Sequence, residues 1–143
     1  IDNYVLDFAD TRLCDQKSKI KQAVKDVFKN KKFDLIFTHS KNDLHQDHRL
    51  ISEITLELFR GPSILSYEIP KFDGNPFLPT MYFSLSRKIM KKKVAHLMEH
   101  YKSQHDKIWY NASTFEATMV LRGIEAGKHF AEGFEVVKYI IEE

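Results

Sequence analysis

Cysteine is nearly absent from this sequence, which contains only Cys14. One thiol cannot form a disulfide within the chain, and it cannot build a cysteine-based zinc knuckle. Any metal ion must therefore be bound by His, Asp or Glu side chains. The scarcity of cysteine also favours a reducing compartment, and we expect a cytoplasmic protein.

Long apolar runs and a strong net charge are also missing. No run approaches the roughly 18 residues that a membrane span requires, and we expect no signal peptide. The formal net charge is +2, which is too small to predict binding to nucleic acid or to an anionic membrane. We expect a soluble protein without a nucleic-acid partner, and a homo-oligomer is left open.

Apolar residues are plentiful, at 43% of 143 residues, so the chain can bury a core and residues 1–143 are expected to form one domain. Strands are predicted at residues 4–8, 33–38, 63–69, 81–84 and 134–141, and helices at 18–30, 47–58, 87–103 and 114–128. An irregular, proline-containing excursion is predicted at 70–79. This alternation predicts an α/β fold, Rossmann-like with three layers, in which helices cover both faces of a mostly parallel sheet.

A histidine-rich stretch, FTHSKNDLHQDHR at residues 37–49, holds three of the seven histidines. It follows a buried strand, and ligands of α/β proteins bind beyond the carboxyl ends of such strands. His45 and His48 are three residues apart, so on a helical turn both imidazoles face the same side. Imidazole is the commonest metal ligand, and Asp43 or Asp47 is placed to hold its second nitrogen.

A catalytic zinc site needs three protein ligands, and this stretch supplies too few of them. The other histidines of comparable interest, His96, His100 and His105, lie among the lysines of the helix predicted at 87–103 or follow it. We expect them, together with the basic residues of that helix, to form a solvated face.

Several short motifs resemble one known family in order and nearly throughout the chain. They are DTRL (10–13), THSKNDLHQDHR (38–49), YEIP (67–70), YKSQ (101–104), Arg122-Gly123 and AEGF (131–134). Together they are similar to the PIG-L-like, also called LmbE-like, zinc-dependent de-N-acetylases, which remove acetyl groups from N-acetylated sugars. The HxDH segment with its flanks is the most specific of them.

The resemblance implies a role for each polar residue of HxDH. His48 would be a ligand of a single zinc ion, and His45 would stabilise the oxyanion or donate a proton, oriented by Asp47. The family's other two ligands and its general-base aspartate come from an Ala-His-Pro-Asp-Asp-Glu type loop that this chain lacks. We expect that loop upstream of Ile1, so the full-length protein would be active and this fragment alone inactive.

The resemblance also implies an N-acetylated sugar or glycoconjugate as substrate. Candidate substrate-binding residues are Arg12, Asn42, Asp43 and His129. Phe130 stands where many relatives carry a tyrosine, so one substrate hydroxyl contact of the family is in doubt here.

Two other classes of protein share parts of the pattern. Metallo-β-lactamase-fold hydrolases carry HxHxDH after a strand, but Asp43 stands where their first histidine belongs. A non-catalytic binding domain is the other alternative, because the chain has too few metal ligands. Metal analysis of the full-length protein distinguishes these alternatives.

Overall fold

A computed structural model describes residues 2–74 and 77–141. Asn75 and Pro76, within the predicted excursion at 70–79, lie outside the described residues. The chain divides into two compact units. The first unit comprises Ile1–Tyr67 together with Val136–Glu143, and the second comprises Glu68–Glu135.

The predicted helices and four of the five predicted strands are present. The helices are α1 (Lys17–Phe28), α2 (Gln46–Leu58), α3 (Arg87–His100) and α4 (Ala112–Glu125), and the strands are β1 (Leu35–His39), β2 (Ser63–Tyr67), β3 (Met81–Ser84) and β4 (Ala131–Lys138). Short 3-10 helices span Leu13–Gln16 and Lys102–Gln104. The prediction of an α/β fold is confirmed.

The remaining strand, predicted at residues 4–8, is absent, so this prediction was wrong. The composition of this segment favours a strand, but the segment runs without regular structure, and the Val5 side chain is 87% exposed. A strand is stable only when a neighbour takes up its main-chain hydrogen bonds. The segment is held instead by side chains, among them Tyr4, whose ring makes a T-shaped contact with the ring of Phe28.

The sheet has the strand order β1-β2-β4-β3. β1 and β2 pair in parallel, with His39 opposite Tyr67 at their carboxyl ends. β3 and β4 pair antiparallel. The sheet is therefore mixed, which corrects the prediction of a mostly parallel sheet. The antiparallel pair could not be inferred from alternating elements, because periodicity does not record strand direction.

Helices α1 and α2 form the core of the first unit. Ile20, Leu50 and Ile54 form a buried cluster between them. Helix α2 also packs against β1, where the buried hydroxyl groups of Thr38 and Thr55 are hydrogen-bonded at 3.1 Å. These contacts fix α2 relative to the end of β1, and the histidine-rich stretch connects the two elements.

The second unit has its own apolar core, built largely by α3 and α4. Its buried members are Leu85, Met90, Val94, Tyr110, Phe115, Met119 and Phe130. Helix α3 begins at a Ser86 cap, and α4 begins at Asn111, whose side chain accepts from the Thr114 amide at 2.9 Å. His96, His100 and His105 are exposed, as predicted.

Among the residues described, none of the helices has the length and apolar character needed to cross a membrane.

Candidate active site

The histidine-rich stretch forms a compact polar cluster in the first unit. Its residues run from the last position of β1 into the first turn of α2. Three imidazole rings lie together in this cluster. The His39 ring stacks on that of His48 with centroids 4.0 Å apart, and the centroid of the His45 ring lies 4.6 Å from that of His48. The predicted juxtaposition of His45 and His48 at one end of the strand pair is therefore present.

Asp43 organises this cluster. It is only 2% exposed, and both of its carboxylate oxygens accept hydrogen bonds. Oδ1 accepts from the backbone N–H of His45 at 2.8 Å, and Oδ2 lies 2.8 Å from Nδ1 of His48. Of the two aspartates that the sequence offered as the partner of a ligand histidine, the structure selects Asp43 for His48.

This pairing indicates which His48 nitrogen has the lone pair that a metal ligand needs. Because the carboxylate accepts, Nδ1 carries the donated hydrogen and Nε2 of the neutral ring keeps its lone pair. A carboxylate that holds one ring nitrogen while the other nitrogen ligates the metal is the usual arrangement of a zinc-binding histidine. The chemistry of this donor set fits a zinc ion held by His48.

His39 was not among the predicted site residues. Its donor atoms group with those of Asp43 and His48, within 4.8 Å of one another. However, the His39 and His48 rings are nearly parallel, at 11°. A ligand lone pair lies in the plane of its ring, so two stacked rings do not direct both lone pairs at one ion. The stacked arrangement therefore favours coordination by one of these two rings, not by both. The position of His39 at the carboxyl end of a strand was the signal that could have found it.

His45 is the N-cap residue of α2. Its Nδ1 accepts the backbone N–H of Asp47 at 3.2 Å. Nδ1 must therefore be unprotonated in this arrangement, and Nε2 carries the hydrogen of the neutral ring. The structure thus leaves Nε2–H of His45 as a hydrogen-bond donor beside His48.

The Asp47 carboxylate is directed away from His45. It is 4% exposed and accepts from the backbone amides of Thr11 at 2.7 Å and Leu13 at 3.3 Å. The hydrogen bond between Asp47 and His45 is made by the main chain of Asp47, not by its side chain. Sequence spacing could not distinguish these two contacts.

The other predicted substrate-binding residues lie in different places. Arg12 follows Thr11 in the first unit, and its side chain is 72% exposed and paired with Asp15. Asn42 is exposed, and its backbone N–H donates to Ser40 Oγ at 3.2 Å. His129 is exposed and belongs to the second unit, just before β4.

The remaining motif residues build the second unit. Arg122 is 8% exposed and forms a double hydrogen bond to Glu68 at 2.6 and 2.8 Å. A third bond, at 2.7 Å, joins it to Glu125, and this bond lowers the pKa of the Glu125 carboxyl. The hydrogen bonds to Glu68 raise the pKa of Arg122. Sequence analysis did not predict this ion-pair cluster.

A second group of metal-ligating residues, His96, Glu99 and His100, lies exposed on α3. Nδ1 of His96 and Nε2 of His100 are 3.4 Å apart, and the ring centroids are 5.5 Å apart. The two nitrogens thus face each other nearly along the line between the rings. This geometry suits a hydrogen bond between the rings better than shared coordination of an ion.

Solved structures share the fold. The conserved protein TT1542 from Thermus thermophilus matches with a TM-score of 0.69 and 19% identity, over 95% of this chain and 65% of that one. The N,N'-diacetylchitobiose deacetylase from Pyrococcus horikoshii matches with a TM-score of 0.73 and 18% identity, over 94% and 57%. The fold is thus that of the LmbE-like α/β proteins.

The fold alone does not specify the reaction. GalB from Pseudomonas putida KT2440, a 4-carboxy-2-hydroxymuconate hydratase, also matches, with a TM-score of 0.68 and 16% identity over 88% of this chain and 61% of that one. A hydratase and a deacetylase thus share this architecture, so the function must be argued from the residues of the site.

Sequence comparison adds two similarities. Residues 1–59 match the family model described as PIG-L: GlcNAc-PI de-N-acetylase. The uncharacterized deacetylase YaiS of Escherichia coli (strain K12) is 31% identical over 101 residues, 66% of this chain and 54% of YaiS. Residues 1–59 are thus similar to the PIG-L family, the family that the motifs resemble, and the chain spans about half the length of this curated relative.

Proposed function

We propose that this chain carries the histidine half of a zinc-dependent de-N-acetylase site, which in the full-length protein removes the acetyl group from an N-acetylated sugar or glycoconjugate. The single observation that carries the proposal is the His48 to Asp43 contact of 2.8 Å beside His45. The match of residues 1–59 to the PIG-L model and the deacetylase relatives support the same class.

His48 would hold the zinc ion through Nε2, with Asp43 fixing the tautomer and orientation of the ring. A bound zinc ion supplies Lewis acidity, which polarises a carbonyl and lowers the pKa of a coordinated water. A catalytic zinc site takes three protein ligands, so the test must use the full-length protein.

His45 would act on the substrate. Its Nε2–H is a donor held in place by the helix cap, as required of a group that stabilises the oxygen on which negative charge develops. The leaving amine must also gain a proton for the C–N bond to break, and His45 would supply one only as an imidazolium, with Nδ1 protonated as well. Arg12, Asn42 and His129 remain proposed contacts of the sugar. Asp43 is proposed to act mainly through His48, because both of its oxygens are engaged.

Two substitutions in the full-length protein test these roles separately. His48→Ala should remove zinc and acetate release from an N-acetylglucosamine conjugate together. His45→Asn keeps a side chain that caps helices well, so fold and zinc content should persist while kcat falls by roughly 10²–10³, the cost of losing an oxyanion donor.

His105→Ala, at an exposed histidine of the second unit, is the matched control and should change neither zinc content nor kcat. Zinc content is measured by elemental analysis of the purified protein and turnover by acetate release. A His48→Ala protein that keeps its zinc and its activity would refute the proposal. Equal loss of zinc in both site variants would refute the division of roles.

A further inference from the structure

The loop before the first 3-10 helix contains an unusual backbone conformation. Thr11 has φ of 64°, in the left-handed region. It is the one residue other than glycine with positive φ among the described residues. A β-branched residue in this region is strained, and such strain persists only where surrounding contacts impose it.

The contacts that impose it come from the HQDH turn, about 35 positions further along the chain. The Asp47 carboxylate accepts from the amides of Thr11 and Leu13, at 2.7 and 3.3 Å. The Gln46 side-chain amide donates to the carbonyl of Thr11. Both polar main-chain groups of Thr11 are thus engaged by two adjacent side chains.

The first turn of α2 therefore has two sides with different tasks. His45 and His48 lie together on one side, while Gln46 and Asp47 grip the loop that carries Arg12. The Arg12 side chain uses Nε to pair with Asp15 at 3.2 Å, and the described residues offer no hydrogen-bond partner to its two terminal nitrogens. Such a guanidinium is matched to two acceptor oxygens of a carboxylate or phosphate.

We propose that Gln46 and Asp47 are positioning residues that hold the loop of residues 10–13 so that Arg12 binds an anionic group, carboxylate or phosphate, of the substrate. This inference rests on the proposed function for its substrate, and it adds an anionic substituent to the N-acetylated sugar. The grip on the loop itself is a property of the fold and can be measured without any activity.

The first experiment measures how firmly the loop is held, by limited trypsin digestion of the full-length protein. Release of the fragment ending at Arg12 is followed by mass spectrometry, because a held loop is cut slowly and a released loop quickly. Gln46→Ala and Asp47→Ala should increase the initial rate of this cut at least tenfold. Lys41→Ala, an exposed change in the same stretch as HQDH, should leave the rate unchanged.

A second substitution tests the strained backbone independently. Thr11→Gly places at this φ the residue that adopts it without strain. If the loop is held as described, Tm should rise or stay the same. A lower Tm would contradict the strained conformation, because glycine then only adds freedom to the unfolded chain. Equal cleavage rates in wild type, Gln46→Ala and Asp47→Ala would refute the proposal that these two side chains hold the loop.

The third experiment uses the full-length enzyme and a double-mutant cycle. With an N-acetylated sugar phosphate as substrate, Arg12→Ala and Gln46→Ala should each raise KM several-fold and leave kcat within twofold. The double variant should be no worse than Arg12→Ala, because Gln46 acts through Arg12. With the uncharged N-acetylated sugar, the rise in KM should be much smaller in both variants, because the anionic group that Arg12 binds is missing.

The outcomes separate this inference from the proposed function. No acetate release from any substrate by the wild-type enzyme would refute the deacetylase proposal. The trypsin and Tm results would still show whether Gln46 and Asp47 hold the loop of residues 10–13. Acetate release with additive effects of Arg12→Ala and Gln46→Ala would overturn the positioning role and leave the deacetylase proposal standing.

Discussion

At the residue scale, the chemistry of the site depends on two aspartates that sequence alone could not tell apart. Asp43 and Asp47 are four residues apart, and both are buried. The Asp43 carboxylate is hydrogen-bonded to the ring of His48, whereas the Asp47 carboxylate accepts hydrogen bonds from the backbone amides of Thr11 and Leu13. The HxDH motif therefore does more than present two histidines, because its aspartate fixes a distant loop.

The role of Asp43 leads to a prediction about metal affinity. Asp43→Ala in the full-length protein should weaken zinc binding about 10–100-fold, because the ring of His48 loses the partner that orients it. Asp43→Asn should weaken zinc binding less, since its amide oxygen still accepts from Nδ1 of His48. Zinc affinity is measured by competition with a chelating dye. Lys41→Ala is the control, and an unchanged affinity in Asp43→Ala would contradict this role.

At the element scale, the glycines of the motifs are explained by close packing. A Cβ on Gly123, in the last turns of α4, would lie 2.7 Å from the carbonyl carbon and oxygen of His129. A Cβ on Gly133, in β4, would lie 2.7 Å from Cβ of Pro79. These two motif glycines allow backbone and side chains of the second unit to approach each other. Packing alone accounts for their presence in the motifs, without a catalytic role.

Gly123→Ala should therefore destabilise the protein by about 1–3 kcal/mol, the usual cost of overpacking, because the atoms in the way belong to backbone. The matched change is Gly61→Ala, where nothing lies within 4 Å of the new Cβ. That change should stay within about 0.5 kcal/mol. Urea denaturation gives both free energies of unfolding. Equal effects at the two positions would show that α4 does not approach His129 this closely.

At the scale of the whole molecule, the first unit is assembled from both ends of the chain. Residues from Val136 onward return to it after the second unit is complete. Lys138, the last residue of β4, donates to the carbonyls of Phe59 at 3.0 Å and Arg60 at 2.6 Å. These carbonyls follow the carboxyl end of α2, where a positive charge is favourable.

Removing the charge of Lys138 should weaken the attachment of the C-terminal segment to the first unit. Lys138→Met keeps most of the aliphatic stem and removes the ammonium group, and we expect a loss of about 1 kcal/mol in the free energy of unfolding. Lys128→Met, at an exposed lysine, is the control. Hydrogen exchange of residues 136–141 should accelerate in Lys138→Met alone. Unchanged exchange and stability would mean that the lysine does not secure the C-terminal segment.

Much of the fold follows from local patterns in the sequence. The apolar positions of α1 and α2 repeat at helical spacing, so these helices and their buried faces were predictable from residues such as Ile20 and Ile54. The position of the histidine-rich stretch after β1 was predictable too, because a short apolar run followed by polar residues marks the end of a buried strand.

The sequence by itself therefore determined the α/β class, the helices and the cluster containing His45 and His48, since these depend on spacing along one segment. Only the tertiary structure decided that residues 4–8 form no strand, that β3 and β4 run antiparallel, and that Asp43 rather than Asp47 supports His48. Each of these depends on which distant backbone group comes within hydrogen-bonding distance. The spacing of residues along the chain carries no record of that choice.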